Sequence, residues 1–298
     1  MKLKYKYTGR GIGVAVLDTG IFPHVDFDQR IVCFRDFVQK RTGPYDDNGH
    51  GTHVAGIIAG SGKASQGTCM GIAPGCHLIG LKVLDAAGNG MQHSTIRALE
   101  WLLEYYRQYQ IRVVNISVGS TIKNYRQQDA LIRAVERVWD AGMVVVTAAG
   151  NNGPAPGSVT APGSSRKVIT VGSSDMLKQY QMLSGAGPTG ECICKPDIVC
   201  KGHNILSCKA SPGGREYTRK SGTSMSTPYI SGAVALALEK DPLLTNVEIK
   251  MMLRDCAKDL GLSHHRHGWG QFHLAPFFPS PPPFPLSPGP PPPFPPAA

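Results

Sequence analysis

The 298-residue chain has no run of 18 consecutive apolar residues, which excludes a single hydrophobic membrane-spanning helix. Its opening, MKLKYKYTGRGIGVAVLDTG, begins basic but holds no long apolar stretch before polar residues return. No secretory leader is therefore expected. A cytoplasmic location is the expectation, with a secreted mature fragment as the alternative. Charged residues are sparse at 17%, and 21 acids face 31 bases, for a formal net charge of +10. Such an excess admits a nucleic-acid or acidic partner. The bases are spread along the chain, however, and the densest group (Lys2, Lys4, Lys6, Arg10) is an N-terminal fringe. Zinc-finger, RNP and helix-turn-helix patterns are all missing. A basic surface that aids solubility is the reading, and neither nucleic acid nor a membrane is expected as a partner.

The eight cysteines have no export signal ahead of them, so reduced thiols are the default. Cys192, Cys194, Cys200 and Cys208, with His203, could gather around a metal. The spacing C-x-C-x5-C-x7-C matches no standard zinc pattern, and plain thiols are expected. Hydrophobic residues make up 41% of the chain, enough for a sizeable core in one large α/β domain or two ordinary ones.

Residues 12–18 (IGVAVLD) alternate and are β-branched, which predicts a strand. VVNISVG (113–119), MVVVTAAG (143–150) and VITVGS (168–173) are near-continuous apolar runs and predict buried strands. Between them, residues 94–109 place Ile96, Leu99, Leu102, Leu103 and Tyr106 on one helical face. Residues 127–141 do the same with Leu131, Val135, Val138 and Trp139, and Gly142 closes that helix. Alternation of strand and helix implies βαβ units and a parallel sheet covered on both faces. LTNVEIKMML carries a capping box, with Thr245 as N-cap and Glu248 three residues on. Residues 276–298 are dominated by proline and cannot form a packed core, so a polyproline or disordered tail is expected after a globular unit over 1–275. Such a tail could bind an SH3-like or WW-like groove, although a simple solvated extension is the plainer reading.

The segment SGTSMSTPYISGAVALALEK (221–240) reads as a buried helix from Gly232 onward, but its front crowds together Ser221, Thr223, Ser224, Ser226 and Thr227. One N-cap hydroxyl suffices for a helix, so the surplus points to another use for one serine. Elsewhere, polar residues stand at strand ends: Asp18 after VAVL, and Asn151 after TAAG. Sites in open α/β sheets assemble at that edge. In DDNGHGTHVAGIIAG (46–60), His50 and His53 open an apolar helix. Their plain reading is polarity at a helix start. A metal reading lacks the glutamate of H-E-x-x-H and a third ligand. A histidine as general base remains. An acid, a histidine and a serine together make a nucleophilic system, because the hydroxyl is weak until an imidazole held by a carboxylate takes its proton.

These blocks resemble those of the subtilisin-like serine proteases. VLDTG (16–20) is similar to that family's Asp block, HGTHVAG (50–56) to its His block, AAGN (148–151) to its oxyanion block and GTSMSTP (222–228) to its Ser block, in the family's order. The resemblance spans roughly residues 8–272. It implies a three-layer α/β/α fold with a mainly parallel central sheet, and a serine endopeptidase acting through Asp18, His50 and Ser224 by way of an acyl-enzyme. Asn151 and the Ser224 backbone N–H would serve the oxyanion.

The substrate would be a polypeptide chain lying between Ser117, Val118 and Gly119 on one side and Gly88, Asn89 and Gly90 on the other. The pocket for the residue before the scissile bond (P1) would be walled by 117–119 and by Ala148, Ala149 and Gly150, with Thr160 near its floor. No acid aligns there, so an apolar or broad preference is expected. Asp46 and Asp47 could favour a basic neighbouring residue (P2), but a solvated loop is the plainer reading. No cofactor is implied for the chemistry. Loop 60–70 lacks the asparagine-rich calcium ligands of secreted members, and a weaker structural calcium or other cation is considered near Asp197. The alternative reading is a catalytically silent module of the same fold that binds partners through its tail.

Overall fold

The computed structural model describes residues 6–119, 125–176 and 184–278. Its spine is a nine-stranded sheet in the order β10-β11-β7-β6-β5-β4-β1-β3-β2. The strands are β1 (Gly13–Asp18), β2 (Ile31–Asp36), β3 (His77–Lys82), β4 (Ile111–Ile116), β5 (Val144–Ala148), β6 (Ile169–Ser173), β7 (Ile198–Cys200), β10 (Ala257–Lys258) and β11 (Gln271–Phe272). Every pair is parallel except β10 with β11. A separate antiparallel hairpin pairs β8 (Ile205–Cys208) with β9 (Tyr217–Lys220). Strands β5 and β6 are buried along their whole length, which is why they read as continuous apolar runs, and β1, which reads as alternating, is buried throughout as well.

The helices are α1 (His50–Ala59), α2 (Gln92–Tyr105), α3 (Tyr125–Asp140), α4 (Thr223–Lys240) and α5 (Asn246–Asp255), with two short turns, α6 (His264–His267) and α7 (Leu274–Phe277). They flank the sheet in the expected α/β/α arrangement, with α1 packed on α4 and α2 on α3. The capping box forms: Thr245 accepts from the Glu248 N–H, and the Glu248 carboxylate accepts from the Thr245 N–H. Gly142 takes positive φ after α3 and donates to the Trp139 carbonyl. Among the described residues no helix is long and apolar enough to cross a membrane.

Helix α4 starts at Thr223, so the hydroxyl-rich front of 221–240 forms its first turns, ahead of the apolar run from Gly232. Pro228 lies inside it, but the bond it forgoes is to the Ser224 carbonyl, so the disruption stays at the helix opening. The packed unit also runs past 275. Phe277 is buried against Phe272, and Phe278 stacks on Tyr7 with ring centroids 6.2 Å apart. The rest of the proline-rich stretch, from 279, lies outside the described residues.

Strand order reverses at β1. The chain leaves it for β2 on one side and later reaches β4 on the other, with β3 and β4 as its direct neighbours. Such a reversal opens a crevice beyond the carboxyl ends of the strands. Asp18 is the last residue of β1 and sits at that crevice.

Candidate active site

Asp18 is fully buried, and its Oδ1 lies 2.7 Å from His50 Nδ1 and accepts from the Thr19 N–H at 2.7 Å. His50 is the first residue of α1, which is pressed tightly to β1. A Cβ on Gly51 would fall 2.1 Å from the Gly20 carbonyl oxygen and 3.0 Å from the Asp18 Cβ, so glycine is required for the approach. About a quarter of the His50 side chain (24%) is exposed. Burial is the largest influence on this imidazole and lowers its pKa. The Asp18 charge and hydrogen bond outweigh burial, so the net pKa is raised above 6.5. With Nδ1–H donated to Asp18, His50 Nε2 carries the lone pair.

Asp46 is the residue that sequence reading undervalued. It is buried, not part of a solvated loop. Its Oδ1 accepts from Thr19 Oγ1, Asn48 N and Gly49 N, and its Oδ2 from the N–H and hydroxyl of Thr52. Thr19 Oγ1 in turn accepts from Gly51 N at 2.9 Å. One carboxylate thus ties the turn after Asp18 to the start of α1. Its cue in the sequence is an aspartate three residues ahead of Gly49 at a helix entry. Asp47 pairs with Lys82 at 2.6 Å; Lys82 is buried, stands in register with Asp18 and also donates to the Thr19 carbonyl. With Asp46 saturated and Asp47 paired, neither offers the free charge that a basic P2 residue would need.

His53, one turn into α1, is held away from the cleft. Its Nε2 is shared between the carbonyls of Ile205 and Thr218, one on each strand of the hairpin. Burial drives its pKa down to about 4, so it is a neutral structural histidine.

Ser224 lies in the first turn of α4, where backbone N–H groups have no acceptor inside the helix. The Asn151 Oδ1 accepts from both the N–H and the hydroxyl of Thr223, at 3.0 and 3.1 Å. The Asn151 Nδ2 and the Ser224 backbone N both stand close to Gly222, where an added Cβ would meet them at 3.3 and 3.7 Å. Two donors are therefore available beside the serine at the positive end of a helix. The Ser224 hydroxyl donates to the Ser117 carbonyl at 2.6 Å.

His50 and Ser224 line one cavity of about 240 Å³, with Thr19, Asn48, Gly88 and Ser117 among the other walls. A second cavity, about 280 Å³, adjoins it and is walled by Gly88, Asn89 and Gly90 on one side and Val118 and Gly119 on the other. Residues 117–119 continue past Ile116, the last paired residue of β4, and 88–90 belong to an exposed turn, so neither segment is a strand of the sheet. Thr160 is buried between the two expected walls: its Oγ1 would meet a Cβ on Gly119 at 2.1 Å and one on Gly150 at 2.5 Å. Ala148 and Ala149 are buried behind it.

The Subtilase family model matches residues 9–270. The chain belongs to the subtilase family. It is 43% identical to the serine protease AprX of Bacillus subtilis (strain 168), over 83% of this chain and 61% of that protein. It is 38% identical to subtilisin Savinase of Lederbergia lenta, over 85% and 86%. This subtilase therefore spans less than two thirds of AprX and most of Savinase. Among solved structures it is similar to a cold-adapted subtilisin-like serine proteinase (TM-score 0.73, 30% identity, 90% of this chain and 88% of that one). Sphericase also matches (TM-score 0.76, 27% identity, 92% and 94%).

Subtilisins need no cofactor for catalysis and commonly bind structural calcium. In this subtilase the carboxylate facing loop 60–70, which lacks the calcium ligands, and the one considered for a weaker cation are both already matched by donors. Asp26, facing loop 60–70, accepts from Gly62 N, Ala64 N and Tyr217 Oη. Those partners are N–H and O–H donors, whereas calcium would need oxygen ligands turned to it. Asp197, the site considered for a weaker cation, is instead paired with two lysine ammonium groups. Neither place fits calcium. The four cysteines considered as a metal cluster do not gather either. Cys192 and Cys194 are exposed thiols, while Cys200 and Cys208 are buried in different strands. Among the described residues one other trio could converge on an ion, His24, Asp26 and Cys208. Both His24 nitrogens are occupied there, by Asp26 N and the Glu216 carbonyl.

Proposed function

We propose that this subtilase is a serine endopeptidase in which Asp18, His50 and Ser224 act together. The observation that carries the reading is the 2.7 Å contact between a buried carboxylate and an imidazole that shares its cavity with a serine at a helix N-terminus. Ser224 Oγ attacks the scissile carbonyl carbon as His50 Nε2 takes its proton. Asp18 holds the tautomer and balances the imidazolium. The Ser224 N–H and Asn151 Nδ2 hold the oxyanion. His50 then returns the proton to the leaving amine, and water releases the acyl group by the same steps.

The bond from Ser224 Oγ to the Ser117 carbonyl belongs to the unliganded state in this reading. A substrate backbone N–H pairing with residues 117–119 would claim that carbonyl and free the hydroxyl for His50. The P1 pocket between Gly119, Gly150 and Thr160 offers a small hydroxyl and no charge, which favours an apolar or broad preference. The substrate is an extended polypeptide lying between 88–90 and 117–119.

The test is hydrolysis of a tetrapeptide anilide with phenylalanine at P1, comparing the parent protein with Ser224→Ala, each with and without a serine-directed covalent inhibitor. Activity that disappears in the variant and is blocked by the inhibitor is expected. A folded parent protein that cleaves no peptide in a panel of P1 residues would overturn the reading.

A further inference from the structure

Strand β9 ends at Lys220, just ahead of Gly222 and Ser224. The hairpin register pairs Lys220 with Ile205 and Thr218 with Ser207. Alternate residues of a strand share a face, so these four side chains lie together. That face is the one packed on α1, because Ser207 Oγ donates to the His53 carbonyl at 2.7 Å. Leu206 and Arg219, the intervening pair, are exposed, and Arg219 turns away to the Asn204 carbonyl at 2.8 Å. Helix α1 runs along the hairpin, with His53 at the carbonyls of Ile205 and Thr218 and Gly56 against Ser207 and Cys208. The His50 end of the helix therefore lies at the Lys220 end of the hairpin.

Lys220 is half-buried there. Its charge pushes both His50 and His53 toward the neutral form. Among the described residues its ammonium has no hydrogen bond or ion pair. The acids on flanking segments are already committed. Glu216 pairs with Lys209 at 2.6 Å, Asp175 accepts from Gly202 N and His203 N, and Asp46 is saturated.

An unmatched cation is a poor neighbour for a base that must become an imidazolium. A carboxylate on the substrate would offset it. His50 hands its proton to the leaving amine, so the imidazole stands on the far side of the scissile bond from the P1 pocket. No hairpin residue lines either of the cavities that hold 88–90 and 117–119. Lys220 thus faces the residue just after the scissile bond (P1′). We propose that Lys220 selects an acidic residue at P1′. The inference rests on Asp18, His50 and Ser224 acting as proposed above, and it names the substrate class of that site: polypeptides cut ahead of aspartate or glutamate. The bound carboxylate neutralises the charge that opposes the imidazolium, so the preference falls on kcat as well as KM.

The experiment uses internally quenched peptides with phenylalanine at P1, neutral residues elsewhere, and glutamate, glutamine or lysine at P1′. Glutamine keeps the shape of glutamate without its charge. The parent protein should favour glutamate over glutamine by roughly threefold to fivefold in kcat/KM at low salt, the size of a partly exposed ion pair, and lysine should fall below glutamine. High salt should narrow the spread. Lys220→Ala should level the three peptides, and Lys220→Glu should reverse their order. Arg219→Ala removes a charge from the outward face of the same strand and should keep the parent's order, which separates a local pair from net charge. Rates are compared as ratios to the glutamine peptide, so a general loss of activity in a variant does not mimic the effect. Equal rates for the three peptides in the parent overturn the proposal, as does a preference that survives Lys220→Ala or is lost equally in Arg219→Ala. The phenylalanine anilide has no P1′ residue and separates the two readings. A parent that cleaves the anilide but cuts the three peptides alike refutes the role of Lys220 alone. A parent that cleaves neither the anilide nor any peptide refutes the endopeptidase reading, and this proposal falls with it.

Discussion

Acidification should unfold this protein in part through His53. The ring is fully buried and neutral; burial is the main reason its pKa lies near 4, and Lys220 and His50 push in the same direction. Its two carbonyl partners both use Nε2–H, while Nδ1 is buried without an acceptor, so a second ring proton would have no partner. The unfolded chain protonates near 6.5, before the folded one does. Stability from this group is therefore intact above pH 6.5 and is lost as pH falls toward 4. At about 1.4 kcal/mol per pH unit, that interval is worth about 3 kcal/mol, a large share of a typical folding free energy. The assay is urea unfolding of Ser224→Ala followed by tryptophan fluorescence between pH 7 and pH 4, against the same protein carrying His53→Gln. Glutamine keeps a donor near the Nε2 position and removes the titration. The variant should start less stable but lose about 3 kcal/mol less on acidification. Parallel curves for the two proteins would refute the reasoning, because the slope would then belong to other groups.

Asn151→Ala should cost about 10²–10³ in kcat, the size found when this donor is removed from a subtilisin, with KM nearly unchanged in anilide hydrolysis. The net rise in the His50 pKa moves the acidic limb of kcat/KM above that of a free imidazole, because the base must be neutral. The same contact favours folding fully below pH 6.5, and that contribution is lost as pH rises through the raised value. Asp18→Asn should lower the limb and reduce kcat by about 10⁴. Asp46→Asn should reduce stability by about 2–4 kcal/mol in urea unfolding, since an amide N–H₂ replaces an oxygen that accepts buried donors. It should also lower kcat more than it changes KM, because Asp46 positions α1 without touching the substrate.

Asp18, His50, Asn151 and Ser224 were legible in the sequence through the blocks that resemble those of the subtilisin-like proteases, and each also breaks a local pattern. Asp18 and Asn151 interrupt apolar runs at strand ends, and His50 and Ser224 open helices whose interiors are small and apolar. Register adds what a motif cannot, since Lys82 becomes a neighbour of Asp18 only when β1 and β3 pair. Pro228 is tolerated inside α4 because its cost falls on the opening turns, where it can be borne. Asp46, Lys195, Asp197 and Lys250 were not legible, for a different reason. A charged residue between polar neighbours reads as a solvated face, and only tertiary packing takes it out of water. Asp46 meets Thr19 across 27 residues, and Lys250 meets the Val168 carbonyl across 82. A chain with so few charges that still buries Lys82, Lys195 and Lys250 must match each one, since an unpaired buried ammonium would cost several kcal/mol. Each is indeed matched by a carboxylate and by backbone carbonyls. Two of these pairs, Lys82 with Asp47 and Lys250 with Asp197, secure the opposite edges of the sheet. One braces the turn after Asp18, and the other braces the segment that leads from Thr160 into β6. The geometry on which the proposed chemistry depends is therefore held by charges whose purpose appears only once the sheet has formed.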